Sequence, residues 1–238
     1  MYRKLLDYNV FSGDKAELMD EILKKPKVNI ISGNPEVLYN GLNNSILRKS
    51  YSSKDSIIIP DGVGTIIASK IYGEKIEKRI PGIEVMDMLI DYCEKNKKSI
   101  YLLGAKNYVV DKCTDNIKKL HPKINILGHS HGFFDMESCE DILKDINDLK
   151  PYALFVAMGT PRQELFIEKY KDILPCSIFM GVGGSFDILA RVSKRAPKWI
   201  IDIGMEWFYR VYKDPKRIKR LKSISKFIFL SWQGKKTL

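Results

Sequence analysis

Short, almost wholly apolar blocks recur along the chain: Val28–Ser32, Ile57–Ile59, Ile100–Leu103, Ile124–Leu127, Ala153–Met158 and Ile178–Val182. Continuous apolar runs of this length, without in–out alternation, suit strands covered on both faces. Between them lie stretches whose apolar residues return every three to four positions: Pro35–Leu47, Thr65–Tyr72, Glu84–Glu94, Tyr108–Leu120, Ser138–Leu149 and Arg162–Ile173. That period places one apolar stripe on a helix. Strand and helix in alternation predict an α/β fold, with an open, mostly parallel Rossmann-like sheet of about six strands and helices on both faces. Ligands of such sheets bind at the carboxyl ends of the strands. Small or polar residues open loops at those ends: Ser32-Gly33-Asn34, Asp61-Gly62-Val63-Gly64, Leu103-Gly104-Ala105, Gly159-Thr160-Pro161 and Gly181-Val182-Gly183-Gly184.

The rhythm stops near Arg191. Beyond it, Trp199–Tyr212 and Pro215–Trp232 read as two helical segments with no strand between them. In the second, Ile218, Leu221, Ile224, Ile228 and Trp232 recur at helical spacing among Lys216, Arg217, Lys219, Arg220, Lys222 and Lys226. This is the pattern of a basic amphipathic helix. The expected organisation is a Rossmann-like catalytic core over 1–190 and a basic helical appendage over 191–238.

Charge sharpens that boundary. The formal net charge is +11, and residues 191–238 hold 14 basic and 3 acidic side chains, so the first 190 residues are neutral. A segregated excess points to an anionic partner for the tail: phosphate-bearing lipid, nucleic acid or a phosphorylated ligand. With 238 residues, 45% of them hydrophobic, the chain can build a sizeable core, and disorder is excluded. No apolar run approaches the ~18–20 residues of a spanning helix. The opening MYRKLLDYNV lacks a signal-peptide core, so a cytoplasmic protein is expected. Cys93, Cys113, Cys139 and Cys176 are scattered without a C-x-x-C pair and read as reduced core thiols rather than a zinc site.

Several loop residues offer chemistry. Asp61 follows an isoleucine-rich strand and precedes Gly-Val-Gly, a placement that suits a general base or an acceptor for a ligand hydroxyl, and equally a helix cap. Gly62-Val63-Gly64 begins like a dinucleotide fingerprint, but Ile67 occupies the third glycine position, which disfavours a nicotinamide enzyme. Backbone amides of the loop Gly181-Val182-Gly183-Gly184-Ser185-Phe186-Asp187 could cradle a diphosphate, with Asp187 accepting from a base or ribose; a tight turn would need the same glycines. Gln163 stands in the first turn of a helix after Gly159-Thr160-Pro161 and could meet a polar ligand edge. His129 and His131 flank Ser130 in a loop without an evident third metal ligand, and no two aspartates lie two residues apart to hold a divalent ion.

Taken together, the loops resemble the WecG/TagA/CpsF glycosyltransferases, which build bacterial surface polymers. The resemblance rests on Ser32-Gly33-Asn34-Pro35-Glu36, Asp61-Gly62-Val63-Gly64, Arg79-Ile80-Pro81-Gly82, Leu102-Leu103-Gly104-Ala105 and Gly159-Thr160-Pro161-Arg162-Gln163-Glu164. It continues through Gly181-Val182-Gly183-Gly184-Ser185-Phe186-Asp187, Arg195-Ala196-Pro197, Glu206-Trp207-Phe208-Tyr209-Arg210 and Pro215-Lys216-Arg217. It implies an inverting, metal-independent transferase without a cofactor. The enzyme would move a sugar, typically N-acetylmannosamine, from a UDP-sugar to polyprenyl-diphosphate-linked N-acetylglucosamine. Asp61 matches the family's proposed base, and Ser32 stands where threonine is usual. Asn34, Arg79, Gly104, Gln163, Gly183, Gly184 and Asp187 match substrate-binding loops, with Phe133 where tyrosine is common. Arg210, Arg217 and Arg220 match arginines of an appendage that closes over the site. The tail would bind the anionic inner-membrane surface through residues 215–232, so the protein is expected at the inner face of the cell membrane. Nucleic acid is not an expected partner, and a homo-oligomer is compatible with this reading. The alternative is a nucleic-acid or phosphate-binding module on a Rossmann-like scaffold, which leaves the neutral core's loops without a purpose.

Overall fold

The computed structural model describes residues 1–197, 199–200, 206–213 and 218–235; the side chains of Trp207, Arg210, Lys213, Lys219, Arg220 and Lys235 fall outside that description. Among the described residues, eight strands hydrogen-bond in the order β1-β2-β4-β3-β8-β7-β5-β6. They are β1 (Tyr2–Leu5), β2 (Tyr8–Phe11), β3 (Val28–Ser32), β4 (Ser56–Ile59), β5 (Ser99–Gly104), β6 (Asn125–Ser130), β7 (Ala153–Ala157) and β8 (Ile178–Gly181). The β1–β2 hairpin is antiparallel, whereas β2–β4, β3–β8, β8–β7, β7–β5 and β5–β6 pair in parallel. The six expected strands are present, and the sheet is larger than expected by the hairpin. Tyr2-Arg3-Lys4-Leu5 hid it, because a polar edge strand has no apolar run to read.

The helices are α1 (Lys15–Leu23), α2 (Pro35–Leu42), α3 (Ser45–Tyr51), α4 (Val63–Tyr72), α5 (Gly82–Lys95), α6 (Asn107–Leu120), α7 (Glu140–Leu149), α8 (Arg162–Tyr170), α9 (Ser185–Leu189), α10 (Glu206–Lys213) and α11 (Ile218–Lys235). The single helix expected over Pro35–Leu47 is two. Asn43 is the C-cap of the first, and Asn44 caps the second, its Oδ1 accepting from the amides of Ile46 and Leu47. Helix α1 begins with a reciprocal cap: Glu17 N–H donates to Asp14 Oδ1 and Asp14 N–H to Glu17 Oε2. That D-x-x-E signal was available in the sequence.

Contacts divide the chain into two compact units. The second comprises Leu23–Ile31 and Gly82–Lys194. Its core gathers Tyr101, Leu103, Leu154, Val156 and Phe179 from strands with Ile146, Phe166, Ile167 and Tyr170 from helices. Leu154, Phe155 and Val156 are all buried, which is why β7 reads as an unbroken apolar run. All four cysteines are buried and unpaired with one another.

The first unit comprises Met1–Ile22, Ser32–Pro81 and Arg195–Leu238. The boundary expected at 190/191 follows charge, whereas contacts follow packing, and α11 lies against α2 and α4. Phe227 is 0% exposed, Ser231 is buried with its hydroxyl donating to Phe227 O, and a Cβ on Gly234 would come within 2.9 Å of Leu6 and Tyr72. The covered face of α11 therefore runs through Ile224, Phe227, Ser231 and Gly234. Phe227, which lies within the 215–232 segment expected to meet the membrane, is core. Phe229 (55% exposed), Trp232 (45%) and Ile218 (59%) face outward, and the rings of Phe229 and Trp232 lie 5.9 Å apart. The expected stripe failed because Ile218 and Trp232 share a helical period with the core face but not its burial.

Candidate active site

In the first unit, β4 ends in the buried Ile57-Ile58-Ile59 and turns through Pro60 into Asp61, which is half-buried. Gly62, at φ 86°, occupies the N-cap position of α4, so Asp61 stands one residue before the cap rather than serving as it. The carbonyl of Ile59 accepts from both Asp61 N–H and Gly33 N–H, each at 2.9 Å, and fastens the loops after β3 and β4 to one atom. A Cβ on Gly33 would come 2.5 Å from Ile58 Cγ2 and 2.8 Å from Ile59 O, so only glycine permits this approach. Thr65, fully buried in the first turn of α4, donates its hydroxyl to Gly33 O at 2.7 Å and lies 3.4 Å from Asp61 O.

Two further candidates join this group. Asn34 caps α2: its Oδ1 accepts from the amides of Glu36 and Val37 at 3.1 Å, and its Nδ2 lies 3.4 Å from Ser32 O. Both ends of that side chain hold the backbone that presents Ser32. Ile80 N–H donates to Pro60 O at 3.0 Å, which brings Arg79 beside the Asp61 loop. The Arg79 guanidinium is mostly buried and stands 3.4 Å from Glu206 in the first turn of α10. Ser32, Asn34, Asp61 and Arg79, far apart in sequence, thus lie on directly bonded loops. Arg217 lies outside the described residues, as do the side chains of Arg210 and Arg220.

The second unit builds a separate set of close-packed strand ends. Gly104 sits at φ 139°, where a Cβ would strike Ala157 O at 2.4 Å; Ala105 N–H donates to that carbonyl, and Gly132 N–H donates to Ala105 O. Gln163 is buried beneath the glycine loop, its Oε1 accepting from Gly183 N–H at 3.1 Å and its Nε2 donating to Glu164 Oε1 at 2.8 Å. Thr160 Oγ1 donates to the same Glu164 oxygen. Val182 N–H bonds to Val156 O and Ser185 N–H to Val182 O. Three amides of the expected diphosphate cradle, and both ends of Gln163, are therefore engaged by internal partners. These bonds shape the loop at Gly183 and Gly184 and leave it less able to donate to an anion.

Asp187 O accepts from the amides of Val192 and Ser193, closing the turn after α9. Its charge also reaches Cys113, whose thiol is pushed up to about 12 by burial first and by Asp187 second. Phe133 is 68% exposed, with its amide donating to His131 Nδ1. His129 pairs instead with Asp111 at 3.0 Å, so the two histidines serve different partners. Asp91, Glu94 and His121, which the sequence did not single out, bring their ligand atoms within 4.8 Å of one another. They also hold Lys95 Nζ and the amide of Lys123.

The sheet is open and mostly parallel, and a half-buried carboxylate stands just beyond β4. The mostly buried Arg79 adjoins Ile80, whose amide bonds to the same loop. Ligands of such α/β sheets bind at these strand ends. The chain belongs to the glycosyl transferase WecG/TagA/CpsF family, whose profile matches residues 3–238. It is 36% identical over 194 residues to an N-acetylglucosaminyldiphosphoundecaprenol N-acetyl-beta-D-mannosaminyltransferase of Bacillus subtilis, covering 82% of this chain and 75% of the relative. Proteins of the same name from Bacillus spizizenii and Staphylococcus aureus (strain MW2) are 34% and 35% identical over 199 and 212 residues. They cover 84% and 88% of this chain and 76% and 81% of their own. The chain is thus a glycosyltransferase, and the binding-module alternative is set aside. Among the described residues no helix is long and apolar enough to cross a membrane.

Proposed function

We propose that the protein transfers N-acetylmannosamine from its UDP derivative to polyprenyl-diphosphate-linked N-acetylglucosamine, with inversion and without a metal, in cell-wall or surface polysaccharide synthesis. The observation that carries this reading is similarity over four-fifths of the chain to enzymes named for that transfer. The Asp61 carboxylate takes the proton of the acceptor hydroxyl as its oxygen attacks the anomeric carbon. The bond to the donor's diphosphate oxygen breaks on the opposite face, and UDP leaves with the bonding pair.

Charge building on UDP needs fixed donors. With Val182, Gly183 and Ser185 amides internally bonded, the reading assigns this task to Arg79 and to Arg210, Arg217 and Arg220 of the tail. Ser32 would contact the donor, and Gly104, Gly183 and Gly184 would let it approach the backbone closely. Asp187 would accept from its nucleoside and Phe133 would cover it. Asn34 and Gln163 would act through the loops they brace. Lys222, Lys226, Phe229 and Trp232 supply an outward surface for an anionic leaflet, where each cation is worth about 1 kcal/mol.

The test is transfer from UDP-N-acetylmannosamine and other UDP-sugars to a short-chain lipid-diphosphate N-acetylglucosamine, with product anomeric configuration read by NMR. Retention of configuration, or preference for another donor, overturns the corresponding part. Activity is expected to survive EDTA. Loss on chelation with recovery on Mg²⁺ or Mn²⁺ would refute the metal-free account.

A further inference from the structure

The geometry points to Thr65 as the positioning residue for the candidate base, a conclusion that rests on the reading of Asp61 as that base. Nothing in the sequence marks Thr65, a single hydroxyl in an otherwise apolar stretch (Thr65-Ile66-Ile67-Ala68). Its place in the fold is nevertheless specific. The side chain is 0% exposed, and its Oγ1 donates to Gly33 O at 2.7 Å, across 32 positions of sequence. The same oxygen lies 3.4 Å from the carbonyl of Asp61, four residues back. Ile59 O ties Gly33 and Asp61 together from the other side through their amides. The peptide units flanking the carboxylate are thus held at both ends: by Ile59 O at the Asp61 amide, and by Thr65 near its carbonyl.

That double hold has a chemical consequence. A general base must be placed within about 0.5 Å and 10–20° of its working geometry. Asp61 lacks the rigidity of a regular element, since it follows Pro60 and precedes Gly62 at φ 86°. A glycine on one flank leaves the chain free to swing. The Thr65 hydroxyl restores the constraint and registers the Asp61 loop against the loop that presents Ser32. Valine would fill the same volume but would leave Gly33 O without this donor in a buried place.

The experiment compares Thr65→Val, Thr65→Ser, Asp61→Asn and the double variant Asp61→Asn/Thr65→Val, each assayed below its own melting temperature. Thr65→Val should lower kcat about tenfold while KM for the UDP-sugar changes less than threefold, and Thr65→Ser should recover kcat to within twofold of wild type. Because the hydroxyl acts through Asp61, Thr65→Val should cost nothing further in the Asp61→Asn background. A Thr65→Val enzyme within twofold of wild type, or equal losses in both backgrounds, overturns the positioning role and leaves a packing residue. If Thr65→Val cannot be obtained folded, Thr65→Ser decides, since a Ser variant with a tenfold lower kcat refutes the hydroxyl's role. Full activity in Asp61→Asn is a different failure, that of the base itself.

Discussion

Asp61 joins a half-buried carboxylate to a braced backbone, and its substitution is the most direct test at the residue scale. Asp61→Asn should fold and bind UDP as wild type does while transfer falls by roughly 10²–10⁴-fold. Turnover within threefold of wild type, measured by product formation, refutes the assignment. The thiols give a second expectation. Burial pushes Cys93, Cys113 and Cys176 up to about 12 from an ordinary value near 9. The folded protein therefore holds these protons more tightly than the unfolded chain. Their contribution is fully present below about pH 9 and is lost as pH rises toward 12, by about 1.4 kcal/mol per pH unit for each thiol. Tyr8 and Tyr101, raised chiefly by burial, act in the same direction. Urea midpoints should hardly differ between pH 7 and 8 and drop steeply above 9. A stability that climbs over that range contradicts the burial described.

Helix α11 shows how one element can serve two surfaces. Its inner face closes the first unit through Phe227, while Phe229 and Trp232 stay outside. Phe227→Ala should cost roughly 3–5 kcal/mol, the usual toll for emptying a buried aromatic site, seen as a melting temperature lower by on the order of 10 °C. Removing residues from 218 onward should expose α2 and α4 and yield an aggregating protein rather than a soluble core, as light scattering would report. The pair Phe229→Ala and Trp232→Ala should leave melting almost unchanged, because both residues are about half exposed. A full-sized loss of stability in that pair would mean the outward face is also buried.

For the whole molecule, the charge of +11 sits in the segment that carries the outward aromatics. Charge reversal at Lys222 and Lys226 should weaken co-sedimentation with anionic vesicles, more at low salt than at high, because exposed charges are screened over about 8–10 Å at physiological ionic strength. Turnover on a water-soluble acceptor should be spared, since neither residue is assigned to the donor. Equal retention on vesicles at all salt concentrations would leave the tail's charge without the proposed partner. Arg79 enters at this scale too, because its 3.4 Å partner Glu206 comes from α10 more than a hundred residues away.

Local periodicity was enough to read six of the strands and the alternation that makes the sheet. Five are buried along nearly their whole length and so are apolar at almost every position. Strand β6, at the sheet edge, has no buried residue and was read from a short apolar block alone. Charge counting separated the tail, Asp61 and the glycine loops were singled out as residue types suited to transfer chemistry, and Arg79 entered only through the resemblance to the family. What the chain order could not carry was partnership. The β1–β2 hairpin is set by an edge pairing, and the inner face of α11 by which neighbour it meets. Asn34 is a helix cap and Gln163 a brace, because each finds its acceptors and donors within the fold. The Thr65 hydroxyl lies against Gly33, 32 positions earlier, and no spacing rule encodes that contact. Hydrogen bonds and packing between distant segments depend on three-dimensional proximity, whereas burial of a regular element leaves its period in the sequence.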